Sequence, residues 1–132
     1  MCIFCDIVAG RIPAYKVLDS KLVLAFLDIH PVSRGHVLVI PKRHYANLEE
    51  MLEEDLAAVS GALKKIGGII KERLGVPAYN VLANNGLEAG QDVFHLHFHI
   101  IPRFKGDGLE FKWSSINYSS GEAEALAQKL LV

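Results

Sequence analysis

Three histidines, His95, His97 and His99, alternate with Leu96, Phe98 and Ile100. Alternation with period two is the mark of a strand, because successive side chains point to opposite faces of a sheet. One face of this strand then carries three imidazoles, and the other carries an apolar ladder that a core has to cover. Imidazoles held close together resist simultaneous protonation, so at least one stays neutral near pH 7. A neutral imidazole is a nucleophile, a general base or a metal ligand. One histidine on such a face would read as an ordinary polar surface residue. Three in strict alternation, behind the polar loop Asn84-Asn85-Gly86 to Gly90, point to a site. Paired histidines in H-x-H spacing also occur in metal-dependent hydrolases on (β/α)₈ barrels. Those barrels need about 250 residues, and the chain has 132.

The remaining pattern supplies the covering elements. Leu22 to Ile29 and Val37 to Ile40 are apolar runs separated by Pro31 and Gly35, which reads as an antiparallel hairpin. A long helix follows. Asn47 and Glu50 form a capping-box pattern at its start, and Gly75 and Pro77 stop it. Leu52, Leu56, Val59, Leu63, Ile66, Ile70 and Leu74 recur at steps of three and four and share one face. Acidic residues come early in this segment and basic ones late, an order that suits the helix dipole. Gly67 and Gly68 lie inside it and each costs about 1 kcal/mol relative to Ala, which points to close packing there. Ala78 to Ala83 reads as a third strand and Phe94 to Ile101 as a fourth. A last helix runs from about Glu122 to Leu131 behind a Ser119–Glu122 capping box. The expectation is a single α+β domain over residues 1–132: an antiparallel sheet of about five strands, one long helix on a face, and a C-terminal helix.

Composition narrows the function. The 14 basic and 15 acidic residues nearly cancel, which argues against a nucleic-acid binder relying on many phosphate contacts. A small anionic ligand in one pocket stays open. The clean apolar run Leu22 to Leu27 is far short of the roughly 20 residues that span a bilayer, and the N-terminus has no signal-peptide pattern. A cytoplasmic protein with no membrane contact is expected. Cys2 and Cys5 are the two cysteines, in C-x-x-C spacing. A redox pair belongs after a strand at the head of a helix, which position 2 does not fit. Half of a tetrahedral zinc site and a pair of small buried apolar side chains both fit the spacing.

The stretch His95-Leu96-His97-Phe98-His99-Ile100-Ile101 resembles the signature of the histidine triad (HIT) superfamily of nucleotide hydrolases and transferases. The likeness extends over most of the chain: Cys2 to Ile7, Gly10 to Pro13, Leu24 to Ile29, Gly35 to His44, and Asn84 with Gly90-Gln91. The tract Ile100-Ile101-Pro102-Arg103 is similar to bacterial HIT proteins and the dinucleoside-polyphosphate hydrolase branch. The resemblance implies that His97 attacks the α-phosphorus of a purine nucleotide, a phosphoramidate or dinucleoside polyphosphate. A nucleotidyl-histidine forms, which water hydrolyses. It places His99 on phosphate oxygens or the leaving group, and makes His95 the first member of the triad. It puts Asp28 on the ribose hydroxyls, Phe4, Ile7 and Ile29 around the base with Ile3 and Phe26, and Asn84 and Gln91 near the phosphates. Asp92 stands where the family often has Ser or Thr. A carboxylate there repels phosphate unless it points away or takes part in proton transfer. The resemblance further implies a structural zinc on Cys2, Cys5, His44 and His95, no catalytic cofactor, and a homodimer whose long helix lies in the interface. It leaves His36 without a chemical role. Two other functions compete with the enzyme: a nucleotide-binding sensor or adaptor with little turnover, and a metallohydrolase with zinc on His95, His97 and His99.

Overall fold

The computed structural model describes residues 1–132. Its centre is a five-stranded antiparallel sheet in the order β1-β2-β3-β5-β4. The strands are β1 (Lys16–Asp19), β2 (Val23–Leu27), β3 (Val37–Pro41), β4 (Ala78–Ala83) and β5 (Phe98–Arg103). The hairpin expected from the two apolar runs is β2–β3, with Val23 opposite Pro41 and Leu27 opposite Val37. The helices are α1 (Ile3–Val8), α2 (Glu53–Leu74) and α3 (Glu122–Leu130). The short strand β1 and the short helix α1 were not read from the sequence. Neither is long enough to show a period, and both are held by contacts with distant segments.

The sheet has two unlike faces. On one, α2 lays Val59, Ala62, Ile66 and Ile70 onto Val23, Ala25, Val37, Val39, Leu96 and Ile100. On the other, α1 brings Phe4 and Ile7 onto Leu24, Phe26, Leu38 and Ile40. Alternation along β2 and β3 explains both clusters, since odd-numbered residues face α2 and even-numbered residues face α1. The near-continuous apolar runs of these strands are therefore those of a sheet covered on both sides.

Four expectations need correction. First, α2 begins at Glu53. The Asn47–Glu50 box does form, with Glu50 N–H donating to Asn47 Oδ1 at 3.1 Å and Ala46 N–H donating to Glu50 Oε2 at 3.2 Å. It closes a separate turn, and extended Leu52 precedes the helix with no side-chain cap. Second, the buried stripe of α2 is turned from the one read: Leu52 and Leu56 are exposed, while Asp55 is buried and accepts a hydrogen bond from the Tyr45 hydroxyl. Third, a β-carbon on Gly67 would sit 2.5 Å from the Tyr79 ring of β4, so this glycine makes room for the chain's own sheet, whereas Gly68 meets nothing. Fourth, β5 starts at Phe98, not Phe94. Residues before it pair with a loop, with Leu96 N–H donating to Tyr45 O at 2.7 Å. The C-terminal helix is where it was expected, with Ser119 N–H donating to Glu122 Oε1 at 3.0 Å, and every residue of it is exposed.

Candidate functional site

The histidines lie on the α1 face. His97 and His99 line a cavity of about 300 Å³ that also takes in Phe4, Ile7, Phe26, Asp28, Ile29 and Asp92. A larger cavity, about 630 Å³, lies beside α2 on the other face of the sheet and is lined by no histidine. It is the smaller cavity that holds His97, His99 and Asp28.

Hydrogen bonds fix the tautomer of each ring in turn. His97 Nδ1 lies 2.8 Å from the carbonyl oxygen of His95. A carbonyl only accepts, so Nδ1 donates, and in the neutral ring the lone pair sits on Nε2. The ring is buried and stands edge-on to Phe4, with centroids 5.1 Å apart. At the far end, Val32 N–H donates to His36 Nδ1 at 3.2 Å. His36 Nε2 must then carry its proton, and it lies 2.9 Å from His99 Nδ1. His99 accepts there, which places its own proton on Nε2. The first triad member is set the same way: His95 Nε2 donates to Pro41 O at 2.8 Å, leaving a lone pair on Nδ1. The row thus presents an acceptor nitrogen at His97 beside a donor N–H at His99.

Burial sustains these states. Desolvation, helped by His97 and His36 nearby, lowers the pKa of His99 to about 4. Burial also lowers His36, against the pull of Asp28. Both rings are neutral at pH 7, because a proton on either would put charge into a covered site.

His95 turns away from its neighbours. Its Nδ1 lies 3.4 Å from Cys2 Sγ and 3.5 Å from Cys5 Sγ, and His44 Nδ1 lies 3.4 Å from Cys5 Sγ. All four donor atoms lie within 4.8 Å of one another. A tetrahedral zinc with ordinary sulfur and nitrogen bond lengths separates such donors by roughly 3.5 Å. The set therefore fits a closed metal site. The Cys2 thiol also accepts the Cys5 N–H at 3.4 Å, capping α1. The three triad rings do not converge on one point, since His95 faces the cysteines, His97 a carbonyl and His99 the His36 ring.

The other expected site residues divide into those in the cavity and those that shape it. Asp28 lines the cavity but is not free: Oδ1 accepts His30 N–H at 2.8 Å and Oδ2 lies 3.6 Å from His36 Nε2. Phe4 and Ile7 are buried in its wall and Ile29 is 73% exposed at its mouth. Gln91 and Asn84 do not line it. Gln91 is buried, accepting Gly86 N–H at 2.8 Å and donating to Ala46 O at 2.7 Å and Val93 O at 3.1 Å, so its amide braces the loop. Asn84 Nδ2 donates to Gly90 O at 3.3 Å across the same loop. Asp92 Oδ1 accepts Val93 N–H at 2.9 Å and stands 3.8 Å from His97 Nε2.

The sequence left His30 and His36 unassigned; His30 lines the cavity and His36 joins the histidine row through His99. Strand alternation puts His36 on the same β3 face as Leu38, and Leu38 pairs with His99 on β5. The signal was present, but it needed the β3–β5 pairing to be known.

A family model for the HIT domain matches residues 9–106. The chain belongs to the HIT family. It is 45% identical over 130 residues to the adenosine 5'-monophosphoramidase hnt1 of Schizosaccharomyces pombe, covering 98% of this chain and 95% of that one. A HIT-family crystal structure from Bacillus subtilis superposes with a TM-score of 0.91 at 43% identity, covering 98% and 94% of the two chains. A zinc-bound histidine triad protein from Mycobacterium smegmatis superposes with a TM-score of 0.79 at 38% identity, covering 97% and 94%. This kinship makes the chain a HIT-family enzyme of the nucleotide-hydrolase kind.

Proposed function

We propose that the enzyme cleaves at the α-phosphate of a purine nucleotide through a nucleotidyl group carried on His97. The observation that carries this reading is the His97 Nδ1–H bond to the His95 carbonyl. In the neutral ring it leaves the lone pair on Nε2, at the wall of a cavity with apolar side chains on one side and Asp28 on the other. Attack by Nε2 forms a phosphorus–nitrogen bond as the leaving group departs with its electron pair. Water then breaks that bond and releases the nucleoside monophosphate. His99 Nε2–H donates to a phosphate oxygen and stabilises charge that grows in the transition state. Phe4, Ile7 and Ile29 flank the base, and the lone pairs left on Asp28 accept from the ribose hydroxyls. The phosphoramidase activity in the name of the fission-yeast relative supports this chemistry. The test is to quench turnover of an α-labelled nucleotide substrate and digest the protein. Label is expected on His97, and the His97→Ala variant is expected to lose both the label and at least about 10³-fold in kcat. Product formation without label on His97 rejects the nucleophile.

We also propose that Cys2, Cys5, His44 and His95 hold one structural zinc. The donor spacing and the zinc-bound mycobacterial relative support it. The ion would tie the head of α1 to the segment that carries His97. All four positions are filled by protein, so it leaves no place for substrate. Metal analysis of the purified protein is expected to find one zinc per chain, and far less rejects the site. Two copies joined by the uncovered edge of β4 and by α2 complete this reading, since β4 ends the sheet and Val81 is 42% exposed. Light scattering is expected to give twice the chain mass, and a monomer mass rejects the pairing.

A further inference from the structure

Sheet pairing reaches the histidine row only at its end. Phe98 is the first residue of β5 to pair, opposite Val39 on β3 and Ala83 on β4. His95 and His97 lie beyond that ladder, so something else has to hold them. One peptide group does so. The peptide between His95 and Leu96 has a carbonyl that accepts from His97 Nδ1–H at 2.8 Å and an N–H that donates to Tyr45 O at 2.7 Å. The His97 ring and the Tyr45 carbonyl therefore grip the two ends of one planar unit. A tilt of that unit moves the acceptor that sets the His97 tautomer.

Tyr45 is itself held from the other face of the sheet. Its ring belongs to the α2-face cluster, together with Val59 and Leu96. Its hydroxyl donates to Asp55 Oδ2 in the first turn of α2, and Arg43 donates to the same hydroxyl at 3.4 Å. An oxygen that accepts from Arg43 keeps its own proton for the carboxylate. Asp55 is 1% exposed, and its Oδ1 accepts from no protein group. The N-terminal end of the α2 dipole favours a negative group there, yet a buried carboxylate still costs more than an apolar side chain of its size. What it supplies in return is direction. Apolar packing alone lets a ring slide, whereas a bond at its tip fixes where the ring and its backbone lie.

We infer that Tyr45 and Asp55 are positioning residues for nucleotidyl transfer. Their buried bond beneath α2 fixes the His95–Leu96 peptide, and that peptide aims His97 Nε2. This role presupposes the nucleotidyl-His97 reading above and adds the device that orients the ring. Neither residue lines the nucleotide cavity, so the pair acts on the rate of transfer and not on substrate binding. Hydrogen bonds in series polarise one another, so the Tyr45 carbonyl also makes His95 O a better acceptor for Nδ1–H. The same loop is tied elsewhere by Gln91 Nε2 donating to Ala46 O at 2.7 Å and Leu48 N–H donating to Asn85 Oδ1 at 2.8 Å. Those bonds keep the loop in place when the hydroxyl is lost, which limits the effect.

The experiment times labelling of His97 in a single turnover of α-labelled adenosine 5'-phosphoramidate by the full chain as purified. Wild type is compared with Tyr45→Phe, Asp55→Leu, Asp55→Asn and Val59→Ala. Tyr45→Phe and Asp55→Leu are expected to slow transfer about tenfold while KM stays within about twofold. Asp55→Asn keeps an oxygen that accepts from the hydroxyl and is expected to stay within about threefold of wild type. Val59→Ala opens space in the same cluster without touching the bond. It is expected to unfold at a lower temperature and to transfer at the wild-type rate. The Leu96 amide is expected to exchange faster in Tyr45→Phe than in Val59→Ala, and the NMR shifts of the His97 ring nitrogens to move toward the Nε2–H tautomer. Wild-type transfer in both Tyr45→Phe and Asp55→Leu overturns the positioning role and leaves the nucleophile standing. An equal loss of rate in Val59→Ala does the same, since general loosening then accounts for it. Product formation by wild type with no label on His97 overturns both readings.

Discussion

The two faces of the sheet are built by different physics. On the α2 face, twelve buried residues form one cluster, all apolar or aromatic. The one hydroxyl in that cluster is that of Tyr45, and it donates to Asp55. On the α1 face, six buried apolar residues share the surface with His36, His95, His97 and His99, Asp28 and the Cys2–Cys5 pair. Its order comes from directed bonds: His97 to a carbonyl, His36 to His99, and His95 into the cysteine cluster. Apolar packing is non-directional and tolerates change of volume better than change of polarity, whereas a hydrogen-bonded row fails when one proton moves. The histidine-bearing face is therefore the one expected to respond to pH and, with the proposed zinc, to metal removal.

Three perturbations sharpen that contrast. The largest is chelation. Removing a zinc whose free concentration exceeds its dissociation constant a thousandfold costs about 4 kcal/mol. Thermal unfolding with and without a strong chelator is expected to show this loss, with hydrogen exchange rising first around Cys2 to Val8. No change in the unfolding curve breaks the contrast on the metal side.

Acid comes next. His99 is lowered from 6.5 to about 4, and His36 is lowered from the same value. Above pH 6.5 these rings are neutral folded and unfolded, so their contribution is fully retained. As pH falls from 6.5 toward 4, the unfolded chain takes up protons that the folded chain refuses. Each ring that stays neutral only in the folded chain then lowers stability by about 1.4 kcal/mol for every further pH unit. Denaturant midpoints across this range are expected to fall toward acid. In His99→Gln and His36→Gln variants the fall is shallower. An unaltered slope removes both rings as its source.

The smallest effects belong to the α2 face. Gly67→Ala drives a methyl into the Tyr79 ring and is expected to cost about 2 kcal/mol. Gly68→Ala, with open space around it, is expected to add about 0.5 to 1 kcal/mol through helix propensity. Both are read by chemical denaturation, and kcat is expected to stay at the wild-type value in each. Equal effects at the two glycines contradict the packing described.

The histidine row was legible because its period is local. Alternation over five residues assigns faces without reference to any other segment, and the motif survives although only its last member lies inside β5. The β2–β3 hairpin and the body of α2 were legible for the same reason. The start of α2 was not. The Asn47–Glu50 box is chemically satisfied either as a helix cap or as a free-standing turn, and extended Leu52 decides for the turn. The bracing bonds of Gln91 were not legible, because an amide suits a phosphate and a loop carbonyl equally, and the Ala46 and Val93 carbonyls are close only in the folded chain.

From its order of residues alone, this chain commits to a sheet with an imidazole face, a hairpin and one long helix, because side-chain alternation and helical period are properties of neighbours. Which nitrogen of each ring holds the proton was decided only by folding. So was the meeting of Cys2, Cys5, His44 and His95. Those depend on carbonyls, rings and carboxylates brought together from segments far apart along the chain, and a tautomer is set by the atom across the bond.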